Sequence, residues 1–201
     1  MSDPRDAFIV GEGIVLRALR EADLAGGWYG WFNDPDVTWF QNKGFYPNTS
    51  AKQEAFFRHI QTDPSQVTLA IECLDDGLHI GNVTLKDLDW IHRTAELGIV
   101  IGDKKYWGRG FGAQAWWLIS RYGFLTLNLN KITARIVKGN ERSLRVALRS
   151  GYLIEGEQKE QFYRHGVYVD LTLVGIAAAR WRQCFGVDER RAFSQSPPPE
   201  R

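Results

Sequence analysis

Hydrophobic and polar residues alternate along much of this chain, and the alternation predicts strands more often than helices. The strand-like runs place apolar side chains at every second position. They occupy Gly13–Leu19, Val67–Cys73, Leu78–Leu85, Thr94–Ile101, Lys131–Val137, Glu157–Tyr163 and Val167–Ile176. The last two flank His165-Gly166 and form a predicted hairpin.

Helical spacing marks fewer segments, and two of them begin with a polar capping residue. Thr49 or Ser50 caps a helix through Ile60, and Asn140 caps a helix through Leu148. The others are Glu21–Trp31, Gln114–Phe124 and Ala177–Cys184. Only Thr94–Val137 is predicted to form a β-α-β crossover. We therefore expect an α/β fold built on a mixed sheet with helices on its faces.

Length and composition predict one domain. The chain has 201 residues, of which 44% are hydrophobic and 13% aromatic, enough for an ordinary packed core. We expect this domain to cover residues 1–185. Three consecutive prolines near the C-terminus predict a disordered tail over residues 186–201.

Charge and cysteine usage exclude several function classes. The net charge is +1, from 25 basic and 24 acidic residues, which leaves no basic field for nucleic acid. Cys73, Cys184 and the histidines show no metal-ligand spacing, so we expect no metal. We find no signal peptide and no apolar stretch near the roughly 20 residues of a membrane helix. We therefore expect a cytoplasmic monomer or homodimer that binds neither membrane nor nucleic acid.

A glycine-rich loop interrupts the alternation between a predicted strand and a predicted helix. Tyr106–Ala113 reads Tyr-Trp-Gly-Arg-Gly-Phe-Gly-Ala. Glycines there leave backbone N–H groups bare and allow a ligand to approach closely. At the first turn of a helix, such amides suit a phosphate. The loop therefore predicts a phosphate-bearing ligand.

A dinucleotide turn is one alternative for this loop, because Gly108, Gly110 and Ala113 match its spacing. That turn directly follows its strand and has an acid about 20 residues later. Here Asp103–Trp107 intervenes, and Leu127–Asn130 contains no carboxylate. A P-loop is excluded because no Gly-Lys-Ser/Thr follows. A turn that only reverses the chain is the other alternative.

The loop and two later motifs together resemble the GNAT superfamily of N-acetyltransferases. Ile99–Ala113 is followed by Asn140-x-x-Ser143, which resembles the second cofactor motif, and by Ser150-Gly151-Tyr152. Trp107 stands where the family loop, Gln/Arg-x-x-Gly-x-Gly/Ala, begins. Glu155-Gly156 and the hairpin through Asp170 resemble the RimJ/RimL-like branch, which includes ribosomal-protein, polyamine and amino-sugar acetyltransferases. The resemblance extends from about residue 11 to residue 181.

The resemblance implies a central, mostly antiparallel sheet with a parallel pair splayed where acetyl-coenzyme A binds. The pyrophosphate would contact the loop, the pantetheine arm would pair with one strand, and an N–H near Val100 would polarise the thioester carbonyl. Arg109 is either a phosphate ligand or a solvated cation. The implied cofactor-binding residues are Ile99, Val100, Ile101, Trp107, Gly108, Arg109, Gly110, Phe111, Gly112, Ala113, Asn140 and Ser143.

The implied reaction is direct attack of an amine on the thioester, without a metal or a covalent enzyme intermediate. An alkyl ammonium with a pKa near 10.4 costs about 4.6 kcal/mol to deprotonate at pH 7, so a base is useful. Glu96 has the spacing of the catalytic glutamate in histone-type members; alternatively it pairs with Arg93 or Arg135. Ser143 either relays a proton at the sulfur or is a helix-start hydroxyl. Other members' tyrosine acid and glutamate base are replaced here by Ala147 and Phe162.

Aromatic and acidic residues in the first third of the chain are candidates for the acceptor site. We assign Trp31, Asp36 and Tyr46 to substrate binding, although aromatic residues there also build core and Asp34-Pro35 is equally a turn. We predict a small primary amine as acceptor, with an amino sugar ahead of a polyamine or a peptide N-terminus. The competing readings are a non-catalytic coenzyme A-binding module and a dinucleotide-dependent oxidoreductase.

Overall fold

Eight strands form one sheet within residues 7–186, the part of the chain that the computed structural model describes. In chain order they are β1 (Ala7–Val10), β2 (Ile14–Ala18), β3 (Val67–Cys73), β4 (His79–Asp89), β5 (Thr94–Ile101), β6 (Lys131–Val137), β7 (Leu153–Arg164) and β8 (Val167–Ala177). Their order across the sheet is β1-β2-β3-β4-β5-β6-β8-β7. Every neighbouring pair is antiparallel except β5 and β6.

The single parallel pair opens into a cleft. β5 and β6 pair only from Thr94 to Glu96 on β5, opposite Lys131 to Thr133 on β6. Beyond these positions β5 continues to Ile101 while β6 turns to pair with β8 along its whole length. The mostly antiparallel sheet with one splayed parallel pair is therefore confirmed.

Seven helices are described: α1 (Glu21–Leu24), α2 (Trp28–Trp31), α3 (Pro35–Thr38), α4 (Ser50–Thr62), α5 (Phe111–Leu125), α6 (Glu141–Arg149) and α7 (Ala178–Phe185). Two predicted caps are confirmed: the Thr49 side chain accepts from Lys52 N, and Asn140 accepts from Ser143 N. These bonds satisfy amides that a helix start leaves unpaired.

Several predicted elements differ in extent from the structure, and one is β4, which reaches Asp89 rather than ending at Leu85. The predicted helix Glu21–Trp31 is two short helices, because Gly26 and Gly27 lie in a turn between α1 and α2. Helix α5 begins at Phe111 rather than Gln114, and β7 begins at Leu153 rather than Glu157. The edge strand β1 was not predicted. Apart from residue 186, the expected tail lies outside the described residues.

The sheet has a hydrophobic core on each face. Helix α5 buries Ala115, Leu118 and Ile119 against one face. On the other face, Trp28 and Phe57 pack with strand residues in a smaller cluster. Truncating such fully buried aliphatic side chains to alanine costs about 2–5 kcal/mol. The two cores hold α5 and the α1–α4 segment on opposite faces of the sheet.

Candidate active site

The splay between β5 and β6 leads into a cavity of about 370 Å³, here called the acceptor cavity. Its walls come from the segment after α3, from α4, β3, β4, β5, β6, α5, the start of α6, β7 and β8. Glu96 and Gly98 lie on one wall, and Asn140 and Ser143 lie at another. The cavity is thus built from parts of the chain that are far apart in sequence.

The glycine loop lies beside the end of β5, and its backbone is open. Gly108 and Gly110 have φ of +80° and +82°, in the left-handed region, and a Cβ at either would meet no atom within 4 Å. Gly110 is the N-cap of α5 and has no side chain to satisfy the helix-start amides. Among the described residues, the amides of 108–113 donate no hydrogen bond to the protein. The loop therefore has the free donors and the helix N-terminus that an anion needs.

Side chains around these amides hold the loop in place. The indole Nε1 of Trp107 donates to the carbonyl of Ile101 at 2.8 Å. Arg109 Nη2 lies 2.7 Å from a carboxylate oxygen of Asp75, and its guanidinium lies 4.8 Å from the ring centre of Phe111. Arg109 is therefore an ion-paired cation whose side chain is 44% exposed, and its contact with a phosphate stays a prediction.

Tyr106 ties the same loop to the turn between β3 and β4. Its hydroxyl donates to a carboxylate oxygen of Asp76. That hydrogen bond, with partial burial and the nearby negative charge, raises the pKa of Tyr106 to about 12. The same bond lowers the pKa of Asp76. The side chains of Tyr106, Trp107 and Arg109 therefore bond to other parts of the protein, while the amides of 108–113 do not.

The open edge of β5 presents Ile99 and Ile101. Gly102 N donates to β4 at 2.9 Å, and backbone groups alternate in direction along a strand, so Val100 also faces β4. The backbone N–H expected to polarise the thioester carbonyl is therefore that of Ile99 or Ile101 rather than that of Val100. The Ile99 carbonyl accepts from Gln41 Nε2 at 3.2 Å, and the Ile101 carbonyl is taken by the loop indole.

Glu96 lines the acceptor cavity with both carboxylate oxygens ion-paired. One oxygen lies 2.8 Å from Lys86 Nζ and the other lies 2.8 Å from Arg135 Nε. The side chain is 18% exposed. The expected pairing with Arg135 is present, and it does not remove Glu96 from the cavity wall. Direct contact with an ammonium group would require an exchange with one of the two cations.

Asn140 and Ser143 reach the cavity from the start of α6. The cap bond from Ser143 N to Asn140 Oδ1 is 3.2 Å and fixes both residues at the helix N-terminus. Ala147, at the position of the tyrosine acid, is fully buried, and Phe162 lines the cavity with 5% exposure. These two positions therefore supply no proton donor or acceptor, and Ser143 is the polar group that α6 turns to the cleft.

The three substrate residues assigned from sequence lie outside the lining of the acceptor cavity. Trp31 is 6% exposed and packs over Gly102, where a Cβ would lie 1.9 Å from the indole. Asp36 is held by Lys104, whose Nζ lies 2.8 Å away. Tyr46 is 79% exposed and borders a second cleft that adjoins the cavity. The assignment of Trp31 to substrate binding was wrong, because the position of an aromatic residue in the sequence does not show whether it lines a pocket or packs in the core.

Polar residues on β3 and β4 form a wall that the sequence reading missed. Thr68, Asn82, Thr84 and Lys86 line the cavity, while the intervening residues of both strands are buried in the α5 core. Thr68 and Thr84 hydroxyl oxygens are 3.1 Å apart and share a hydrogen bond. Polar residues at every second position of two neighbouring strands were the available signal.

Residues 7–186 contain neither a membrane-spanning helix nor a metal-binding cluster. No described helix is both long and apolar enough to cross a membrane. No cluster of three or more His, Cys, Asp or Glu residues is arranged to bind a metal ion in that range.

Comparisons with known proteins agree with this geometry. Residues 14–153 match the family described as "Acetyltransferase (GNAT) domain". The chain is 31% identical to spermidine N(1)-acetyltransferase of Escherichia coli K12 over 138 residues, 69% of this chain and 67% of that one. It is 33% identical to a putative ribosomal N-acetyltransferase of Bacillus subtilis over 108 residues, 54% and 58% of the two chains.

A solved structure shares the fold. Spermidine N-acetyltransferase from Vibrio cholerae, in complex with CoA and spermine, superposes with a TM-score of 0.78. The match covers 85% of this chain and 99% of that one at 24% identity. The family match, together with the splayed strands and the open glycine loop, shows that the chain belongs to the GNAT acetyltransferases and is an acetyl-coenzyme A-dependent N-acetyltransferase.

Proposed function

We propose that the protein transfers an acetyl group from acetyl-coenzyme A to a small primary amine by direct attack. Two features of the sheet and the adjoining loop support the proposal most directly. The amides of 108–113 have no acceptor in the described protein, and β5 and β6 separate beyond Glu96. A diphosphate fits the first feature and an extended thioester arm fits the second.

The loop binds the pyrophosphate through its amides. The dipole of α5 adds about 0.3–1 kcal/mol, or up to about 2 kcal/mol when partly buried. Arg109 contributes by holding the loop against Asp75. The pantetheine arm runs along the open edge of β5 and takes its hydrogen bonds from Ile99 and Ile101, displacing Gln41 as it does so.

Proton transfer is assigned to Glu96 and Ser143. Glu96 accepts the proton of the acceptor ammonium, either by exchanging a contact with Lys86 or Arg135 or through a water molecule. The amine nitrogen then bonds to the acetyl carbon and the carbon–sulfur bond breaks. The second proton that the nitrogen loses goes to the departing sulfur, to which Ser143 hydrogen-bonds. A thiol with a pKa near 8.5 leaves readily, so the Ser143 contribution is the smaller one.

The acceptor is a primary amine of modest size, with an amino sugar ahead of a polyamine or a peptide N-terminus. Hydroxyl and amide groups on β3 and β4 suit a hydroxylated acceptor, and Phe56 and Phe162 supply apolar walls. Named relatives acetylate spermidine, which supports an aliphatic amine. The hairpin that starts near Glu155 supports the RimJ/RimL-like branch.

Two measurements test this function. Calorimetry with coenzyme A should give a saturable heat, and no heat at millimolar ligand contradicts the loop assignment. Release of free thiol from acetyl-coenzyme A should depend on added amine across a panel of amino sugars, polyamines and peptides. Binding without amine-dependent thiol release contradicts the transfer reaction.

A further inference from the structure

The charged side chains around the acceptor cavity are mostly basic. Lys43, Lys86 and Arg135 line it, against the single carboxylate of Glu96. A second cleft of about 240 Å³ adjoins it and shares Lys43, Phe32 and Phe56 with it. The second cleft adds Lys52 and no acid.

The carboxylate is already neutralised within the protein. Glu96 pairs with Lys86 and Arg135, so these three groups leave one net positive charge at that wall. The nearest acidic pair in the chain segment before the cleft, Asp34 and Asp36, is held by Lys104 at 2.8 Å from each. Among the described residues that line the two clefts, Glu96 is the one carboxylate, so none is left there to receive a second ammonium group of a polycationic acceptor.

Two lysines at the second cleft have no carboxylate partner among the described residues. Lys43 Nζ lies 5.8 Å from the ring centre of Phe32 and 5.1 Å from that of Phe56. Lys52 Nζ donates to the carbonyl of Pro47 at 3.1 Å. An aromatic cleft with two ammonium groups has the charge that attracts an anionic ligand group and disfavours a cationic one.

We propose that the acceptor is a primary amine that also carries an anionic group, a carboxylate or a phosphate, which Lys43 and Lys52 bind. The inference rests on the proposed function. The ammonium end lies at Glu96 and the anionic end lies in the second cleft. The reaction yields the N-acetyl amine and coenzyme A thiol, and it releases one proton from the ammonium group.

Matched amines test the charge preference through free-thiol release. One set is propylamine, 1,3-diaminopropane and 3-aminopropanoate; the other is glucosamine and glucosamine 6-phosphate. The anion-bearing member should have a kcat/KM at least tenfold above its neutral or dicationic partner. The carboxylate and phosphate sets show which anion is used. A preference for 1,3-diaminopropane or spermidine overturns the inference while supporting the transfer reaction.

Lys43→Gln locates the anion site. It should lower the preference for the anion-bearing amine about tenfold, through KM rather than kcat, and Lys52→Gln should lower it less. Arg58→Gln is the control, because Arg58 is 79% exposed on α4 and lines neither cleft. Equal losses for charged and neutral amines in Lys43→Gln overturn the site. Calorimetry of the anionic amines, done in parallel, separates the two proposals: Lys43-dependent binding without thiol release contradicts the function and keeps the site.

Discussion

The cofactor loop and the acceptor cavity are built in opposite ways. The loop is one contiguous run, Tyr106–Ala113. Its amides from 108 to 113 donate no hydrogen bond to the described protein, while the side chains of Tyr106 and Trp107 do. The cavity is assembled from side chains of many separate segments, and Lys43 is left without an ion-pair partner among the described residues. A binding site made of backbone amides can be predicted from a local sequence motif. Specificity that depends on side chains from many segments can be identified only once the fold is known.

The same contrast appears in how each region uses its cations. Arg109, in the loop, forms an ion pair with Asp75 and stacks on Phe111. At the cavity, Lys86 and Arg135 neutralise Glu96. A charge near a site is therefore not evidence of a ligand contact until its partners are known. Four experiments address this difference.

The largest effect is expected for Glu96→Gln, in the cavity. Removing a general base costs about 10²–10⁴-fold, and we expect kcat/KM to fall about 100-fold at pH 7. The loss should shrink toward pH 10, because free amine becomes plentiful near its pKa. The measurement is the pH profile of thiol release.

Glu155→Gln is the matched control for this experiment. Glu155 is also ion-paired, with Lys131 Nζ at 2.8 Å, and it does not line the cavity. A pH-independent loss in Glu96→Gln, equal to any loss in the control, would remove Glu96 from proton transfer and leave it as a structural ion pair.

The next effect is expected in the loop, for Gly110→Val. A β-branched residue at φ of +82° strains the backbone by about 1–2 kcal/mol, and its side chain occupies the space in front of the amides. Coenzyme A binding should weaken at least tenfold by calorimetry. Gly166→Val is the control, because Gly166 has φ of +86° and equally open surroundings in the β7–β8 turn. If both variants lose stability and coenzyme A affinity equally, the loop has no special role.

Ser143→Ala should have a smaller effect, a fall of a few-fold in kcat. The departing thiol has a pKa near 8.5 and needs little assistance, so loss of one hydroxyl is modest. Ser143→Thr keeps the hydroxyl and should restore the rate. The cap bond uses the Ser143 backbone amide and survives both changes. Equal rates in the alanine and threonine variants would exclude a role for the hydroxyl.

The smallest effect is expected for Tyr106→Phe, a loss of stability that is present at neutral pH and disappears at high pH. The pKa of Tyr106 is raised to about 12, so the folded state favours its protonated form. This stabilisation is complete below about pH 10 and is lost as pH rises from 10 toward 12. Urea unfolding of wild type and variant should therefore converge over that range. A constant difference in unfolding free energy would show that the Asp76 bond does not anchor the loop.

Strand positions were predictable where one face is fully buried. Thr94–Ile101 and Lys131–Val137 match β5 and β6 residue for residue, and burial alternates over the first four residues of each strand. The four-residue edge strand β1 was missed, since so short a run carries too few alternations to stand out. Glu21–Trp31 was overextended because helical spacing continues across Gly26 and Gly27, which break the helix.

The sequence by itself determined the glycine-rich loop, the strand beside it and the cap of α6, since each depends on neighbours within a few residues. Only the tertiary structure decided that Trp31 is core, that Asp36 belongs to Lys104 and that Glu96 is flanked by two cations. Asp36 and Lys104 are 68 residues apart, and Arg135 lies 39 residues from Glu96. The packing of strands and helices decides which charged side chains form ion pairs, and the local spacing of residues does not encode these pairings.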